Sequence, residues 1–152
     1  MTEADLRDLL TEYLTLLQRH PSAEEFMGAV LTADFETGFE GGFCWRGLDG
    51  LRDFLSQREG FFDERHTIKD VLAMEEPSAG DLRARTRLEF FLRRWEPPSP
   101  ISEEFTGSCF HSWRLRREPD RWRVAAQIVE RFDDLNDNAE RLFATPDEGL
   151  NR

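Results

Sequence analysis

At 152 residues, 39% of them hydrophobic, the chain is long enough to bury a core without a metal or disulfide staple. Its formal charge of −11 argues against binding a phosphate backbone, which depends on clustered positive charge. No stretch approaches the roughly 20 apolar residues of a membrane-spanning helix. The acidic start, Met1 to Asp5, also lacks the basic and apolar regions of a secretory leader. Cys44 and Cys109 fit no zinc or redox spacing. The expectation is a cytoplasmic protein with reduced thiols, no nucleic-acid partner and no membrane partner.

Residues 2–19 predict an amphipathic helix, with Leu6, Leu9, Leu10, Tyr13, Leu14 and Leu17 at helical spacing and a capping box from Thr2 to Asp5. Pro21 ends it. Ser22 and Glu25 open a second helix with the stripe Phe26, Met27, Val30 and Leu31. Phe35 to Phe39 predicts a short strand, followed by a turn at Gly41 and Gly42. A third helix runs from about Leu48 to Arg58, and Gly60 stops it. His66 to Met74 predicts a strand whose buried side is ambiguous. Pro77 to Gly80 then turns the chain into three long strands.

Those three strands carry the clearest alternation. Leu82, Ala84, Thr86, Leu88, Phe90 and Leu92 share one face of the first, against a face rich in arginine. Phe105, Gly107, Cys109, His111, Trp113 and Leu115 share one face of the second. Trp122, Val124, Ala126, Ile128, Glu130 and Phe132 share one face of the third. His111 and Glu130 thus fall where aliphatic residues are expected. A polar group on an inner face needs a partner or water, or carries a desolvation penalty of roughly 1–3 kcal/mol. A partly wet internal pocket resolves the conflict. After Phe132 the chain turns acidic and less periodic, predicting a short C-terminal helix or tail over 133–152. The element order is an α+β plan in which three N-terminal helices cover a curved antiparallel sheet, all within one domain over 1–152. Neither a metal-ligand constellation nor a glycine-rich phosphate loop is present.

Particular residues in this order resemble the nuclear transport factor 2-like superfamily, a cone-shaped sheet closed by helices. They are Trp45, Gly47, Gly50 and Leu51 leading into the third helix, His66 opening the next strand, and His111 to Trp113 leading through a turn into Trp122, Arg123, Val124 and Ala125. The resemblance covers about residues 4–132. Its SnoaL-like branch, with polyketide cyclases, scytalone dehydratase and ketosteroid isomerase, implies a lyase, isomerase or cyclase that transfers protons on a hydrophobic metabolite without a cofactor. In that reading His66 and His111 are the acid-base pair, Asp34 and Tyr13 orient substrate or water, and Trp45, Phe90, Trp113 and Glu130 line the site. A homodimer is the implied assembly. The same residues leave two alternatives open: a structural subunit similar to the small subunit of ring-hydroxylating dioxygenases, to which Leu115 to Arg117 and Trp122 to Ala125 are similar, and a noncatalytic ligand-binding module. In those alternatives the histidines sit apart or are locked in core hydrogen bonds. For Glu130 a pairing with a strand arginine competes with a site role, and His20, just before Pro21, is expected on the surface.

Overall fold

The computed structural model describes residues 1–143. Helix α1 (Glu3–Gln18) starts as its sequence dictates. The Thr2 hydroxyl accepts the Asp5 backbone N–H at 3.1 Å, and the Asp5 carboxylate accepts that of Thr2 at 3.0 Å. Its six expected apolar residues are all buried. Helix α2 (Ala23–Val30) is capped by Ser22, whose hydroxyl accepts the Glu25 N–H. It runs directly into strand β1 (Leu31–Phe39), four residues earlier than the sequence predicts, because Leu31 is already paired with Val124.

Strand β2 (Cys44–Arg46) and helix α3 (Gly47–Gln57) explain the glycines of the Trp45-x-Gly47-x-x-Gly50 segment. Gly47 takes a φ of +66°, which other residues adopt only with strain. A side chain at Gly50 would stand 3.0 Å from the carbonyl carbon of Trp45. Helix and strand can therefore press together only over glycine.

The remaining strands are β3 (Phe61–Ser78), β4 (Asp81–Arg94), β5 (Glu103–Arg117) and β6 (Trp122–Asp133), followed by a short helix α4 (Asp137–Phe143). Residues 144–152, the rest of the expected C-terminal segment, lie outside the described residues. The six strands form one sheet in the order β2-β1-β6-β5-β4-β3. The expected antiparallel run is β3 to β6, and β1 joins it parallel to β6.

Strands β4 and β5 keep strict alternation and pair without interruption from Asp81↔Arg116 to Arg94↔Glu103. Their buried residues are the ones the periodicity marks, except Ser108 on the opposite face of β5. Strands β3 and β6 do not alternate strictly, and the cause is β-bulges, each of which adds one residue and turns the following side chains to the other face. In β6, Leu115 pairs with Val124 but Arg114 pairs with Ala126, so Ala125 is extra. Gln127 and Val129 thereby take the inner face in place of Ile128 and Glu130. A second bulge at Glu130 returns Phe132 inward, opposite Cys109. In β3, bulges at Lys69 and Leu72 leave His66, Ile68, Val71 and Met74 opposite the inner residues Phe90, Leu88, Thr86 and Ala84. Extra residues on one strand bend it and increase its twist, and this curvature makes room for an interior.

Two apolar clusters fill that interior. One lies beneath the helices and includes Leu6, Leu10, Phe26, Trp113 and Val124. The other includes Leu88, Phe90, Leu92, Phe105 and Ala139, with α4 packed against it. No described helix is long and apolar enough to cross a membrane.

Candidate active site

A cavity of about 210 Å³ draws its lining from both clusters. Strand β3 supplies His66, β5 supplies Cys109 and His111, β1 supplies Thr37, β6 supplies Gln127, and α1 supplies Tyr13. Arg58, just after α3, lines it as well. Most of the rest of the wall is aromatic and aliphatic, Trp45, Phe54, Phe90 and Phe132 among it. A lining of this kind, mostly apolar with a few converging polar groups, is the usual composition of a small-molecule site.

The two imidazoles are fixed differently. The side-chain carbonyl of Gln18 accepts the backbone N–H of His66 at 2.8 Å and stands 3.0 Å from His66 Nδ1. A backbone N–H can only donate, so the Gln18 atom facing it is the oxygen, and Nδ1 facing the same oxygen carries the proton. Nε2 of His66 is left as the basic nitrogen. Burial, then the Arg58 charge, then His111 depress the His66 pKa to about 3. His111 is also pushed down to about 3 by burial, against a small opposing effect of Glu130. Both rings are therefore neutral at neutral pH.

His111 Nε2 stands 3.3 Å from the Cys109 sulfur, while its Nδ1 is buried with no hydrogen-bond partner among the described residues. Burial raises the Cys109 thiol to about 12, so this sulfur is a hydrogen-bond partner for the imidazole and not a thiolate. Tyr13 is fully buried, its ring tilted against Phe26 and edge-on to Trp113. Its hydroxyl makes no well-directed hydrogen bond among the described residues, and burial raises its pKa. Thr37 donates its hydroxyl to the Gln127 side-chain oxygen at 2.7 Å.

Of the residues expected at the site, His66, His111, Tyr13, Trp45 and Phe90 share this cavity. Three placements are corrected. Asp34 lies on the outer surface, where Arg116 grips its carboxylate at 3.0 and 3.2 Å and Thr32 donates to it. Arg116 chiefly holds its pKa down at about 2. Glu130, displaced outward by the β6 bulges, is held by Arg85 and Ser112, which keep it ionised down to about pH 2. Trp113 is core: its indole N–H donates to Thr86 at 2.8 Å, and its ring fills the space between Tyr13 and His111. Asp34→Asn and Glu130→Gln should accordingly leave the rate of any reaction in the cavity within about twofold of wild type, since surface changes of this kind are small perturbations. A loss of an order of magnitude in either variant, measured by steady-state turnover, would restore that residue to the site.

Periodicity put Cys109 on the inner face but missed Arg58, Thr37 and Gln127 as wall residues. For Gln127 a trace was visible: Val124, Ala125 and Ala126 are three consecutive apolar residues in an alternating strand, as a bulge produces. His20 is on the surface, as expected, and from there its Nε2 reaches to 2.7 Å from the carboxylate of buried Glu64. Among the described residues no cluster of three or more His, Cys, Asp and Glu could hold a metal ion.

The fold is shared by many solved structures. A candidate scytalone dehydratase from Novosphingobium aromaticivorans superposes with a TM-score of 0.70 at 15% identity, covering 87% of this chain and 84% of that one. Hexachlorocyclohexane dehydrochlorinase LinA-type3 from Novosphingobium barchaimii gives 0.68 at 16% identity, covering 88% and 87%. A ketosteroid isomerase-like protein from Erwinia carotovora atroseptica gives 0.58 at 20% identity, covering 81% and 90%. At these identities the likeness shows the fold alone. No curated protein matches the sequence. A family model described as a SnoaL-like domain matches residues 2–127, nearly the whole chain, and the chain belongs to that family.

Proposed function

We propose that the protein is a cofactor-independent lyase, isomerase or cyclase that moves a proton on a hydrophobic metabolite held in the cavity. The observation that carries this reading is that two neutral imidazoles, His66 from β3 and His111 from β5, line one mostly apolar cavity. His66 Nε2 takes a proton from a carbon next to a carbonyl, the C–H electron pair forms a C=C bond to the carbonyl carbon, and the C=O π pair moves onto the oxygen. The Cys109 thiol donates to His111 Nε2, which leaves His111 Nδ1–H, together with the Tyr13 hydroxyl, as a donor to that oxygen. Gln18 holds the first ring in the required tautomer.

The burial that keeps His66 ready to accept a proton also disfavours the imidazolium it becomes. Negative charge developing on the substrate oxygen offsets this within a site of low dielectric. The names carried by the structural neighbours, a dehydratase, a dehydrochlorinase and a ketosteroid isomerase-like protein, agree with this class of reaction.

The test is deuterium incorporation at the carbon next to the carbonyl of 2-tetralone in D₂O, followed by proton NMR with the purified protein. Exchange above that given by heat-denatured protein is expected. No acceleration for this ketone or for other hydrophobic ketones of its size would count against the proposal.

A further inference from the structure

The chain carries 31 Asp and Glu residues, yet among the described residues none lines the cavity, while Arg58 and Arg94 do. Arg94 also has a buried Nε without a hydrogen-bond partner among the described residues, but that nitrogen stands 3.4 Å from the Glu96 carboxylate, and Glu103 engages Nη2. Arg58 differs. Its Nη2 is paired with Glu64, whose side chain is fully buried and whose other oxygen stands 2.7 Å from His20 Nε2. Its Nη1 is buried with no protein partner among the described residues, and the residue is only 9% exposed. The Arg58 charge also acts on two groups of the same wall, opposing the rise that burial gives the Tyr13 pKa and adding to the fall that burial gives the His66 pKa. A guanidinium has five N–H donors in a fixed fork and is never deprotonated. An unengaged arm of one in an apolar wall is matched by an oxygen bearing negative charge. Glu64 acts behind it: its carboxylate, held on the other oxygen by His20, fixes the guanidinium and balances its charge, so that it can remain buried without a ligand.

We infer that Arg58 is the specificity-determining residue of the cavity, and that the ligand is an apolar, ring-sized molecule bearing a carboxylate or a comparably acidic oxygen that Arg58 Nη1 receives. This builds on the proposed use of the cavity as a ligand site but needs no proton transfer. Failure of the chemistry would show as absent deuterium exchange, whereas failure of this inference shows only in binding.

The experiment compares 2-naphthoate with 2-naphthalenemethanol, which share shape and apolar area but differ in charge, by quenching of tryptophan fluorescence, since Trp45 lies in the wall. Wild type should bind the carboxylate about 10- to 100-fold more tightly, the range expected for one charge-assisted hydrogen bond. The double variant Arg58→Gln/Glu64→Gln, which removes both buried charges together, should lose the preference while still binding the alcohol. Arg94→Gln should keep the preference. Should the double variant not fold, the wild-type Arg58 side-chain ¹⁵N resonance provides a second measurement: it should move on adding naphthoate and stay in place with the alcohol. Equal affinity of wild type for the two probes, no binding of either, a preference that survives the double variant, or an Arg58 resonance indifferent to naphthoate would each overturn the inference.

Discussion

Replacing either His66 or His111 by alanine should lower the rate of deuterium exchange by roughly 10²- to 10⁴-fold, the usual worth of one positioned acid or base, while the fold persists. Two features make the effect large. His66 is held by Gln18 through both its backbone and its ring, so no neighbouring group can take over at the same position. His111 is flanked by Cys109 and Trp113, neither of which can serve as a base near neutrality. The losses should be strongly non-additive, because groups that act on one proton transfer fail as a unit. The double variant should therefore be little slower than the worse single one. His66→Gln, which keeps a polar side chain of similar size, should be as inactive as the alanine variant if the ring is a base. Near-wild-type exchange in both alanine variants would remove the histidines from the mechanism.

Acid should destabilise the protein well above the range in which carboxylates titrate. Both imidazoles, His111 buried and His66 half-buried, have a folded pKa of about 3 against the ordinary 6.5. Between those values the unfolded chain binds more protons than the folded one, so stability rises with pH across that window. The contribution is complete above pH 6.5 and is lost as pH falls toward 3. Each histidine gives a slope of at most about 1.4 kcal/mol per pH unit. Asp34 and Glu130, held at about 2 by Arg116 and Arg85, act in the same direction but mainly below the ordinary carboxylate range. Going from pH 7.5 to pH 5 should therefore reduce unfolding free energy by about 2–4 kcal/mol, seen as a lower urea midpoint. His111→Gln should remove about half of that pH dependence. A midpoint unchanged between the two pH values would mean that the imidazoles are not buried.

The parts of this molecule that are legible in its sequence are those where one local rule acts alone. The capping box at Thr2 and the stripe of α1 are set by spacing, and both appear as expected. The inner faces of β4 and β5 follow strict period two because their pairing is unbroken. That put His111 on the inner face, whereas the buried side of the His66 strand was ambiguous and His66 came to the site only through the family resemblance. Legibility ends at the bulges. A single extra residue at Ala125 exchanges Glu130 for Gln127 at the wall, and no period-two pattern can foresee that. Arg58 was hidden for another reason. As a charged residue just after a helix it is expected in solvent, and it is buried only because Glu64, six residues on, turns inward to meet it. Asp34 and Glu130 carry depressed pKa values, yet outer-face arginines cause them, so an unusual acidity here marks an ion pair and not a site.

The central claim, that two neutral imidazoles face one cavity, is tested most directly by long-range ¹H–¹⁵N NMR of the histidine side chains across pH 5 to 8, without and with 2-naphthoate. The account predicts that His66 and His111 stay neutral throughout, that His66 is protonated on Nδ1, and that the one ligand shifts both rings together. Titration of either ring near pH 6.5, or a response confined to one of them, would contradict it.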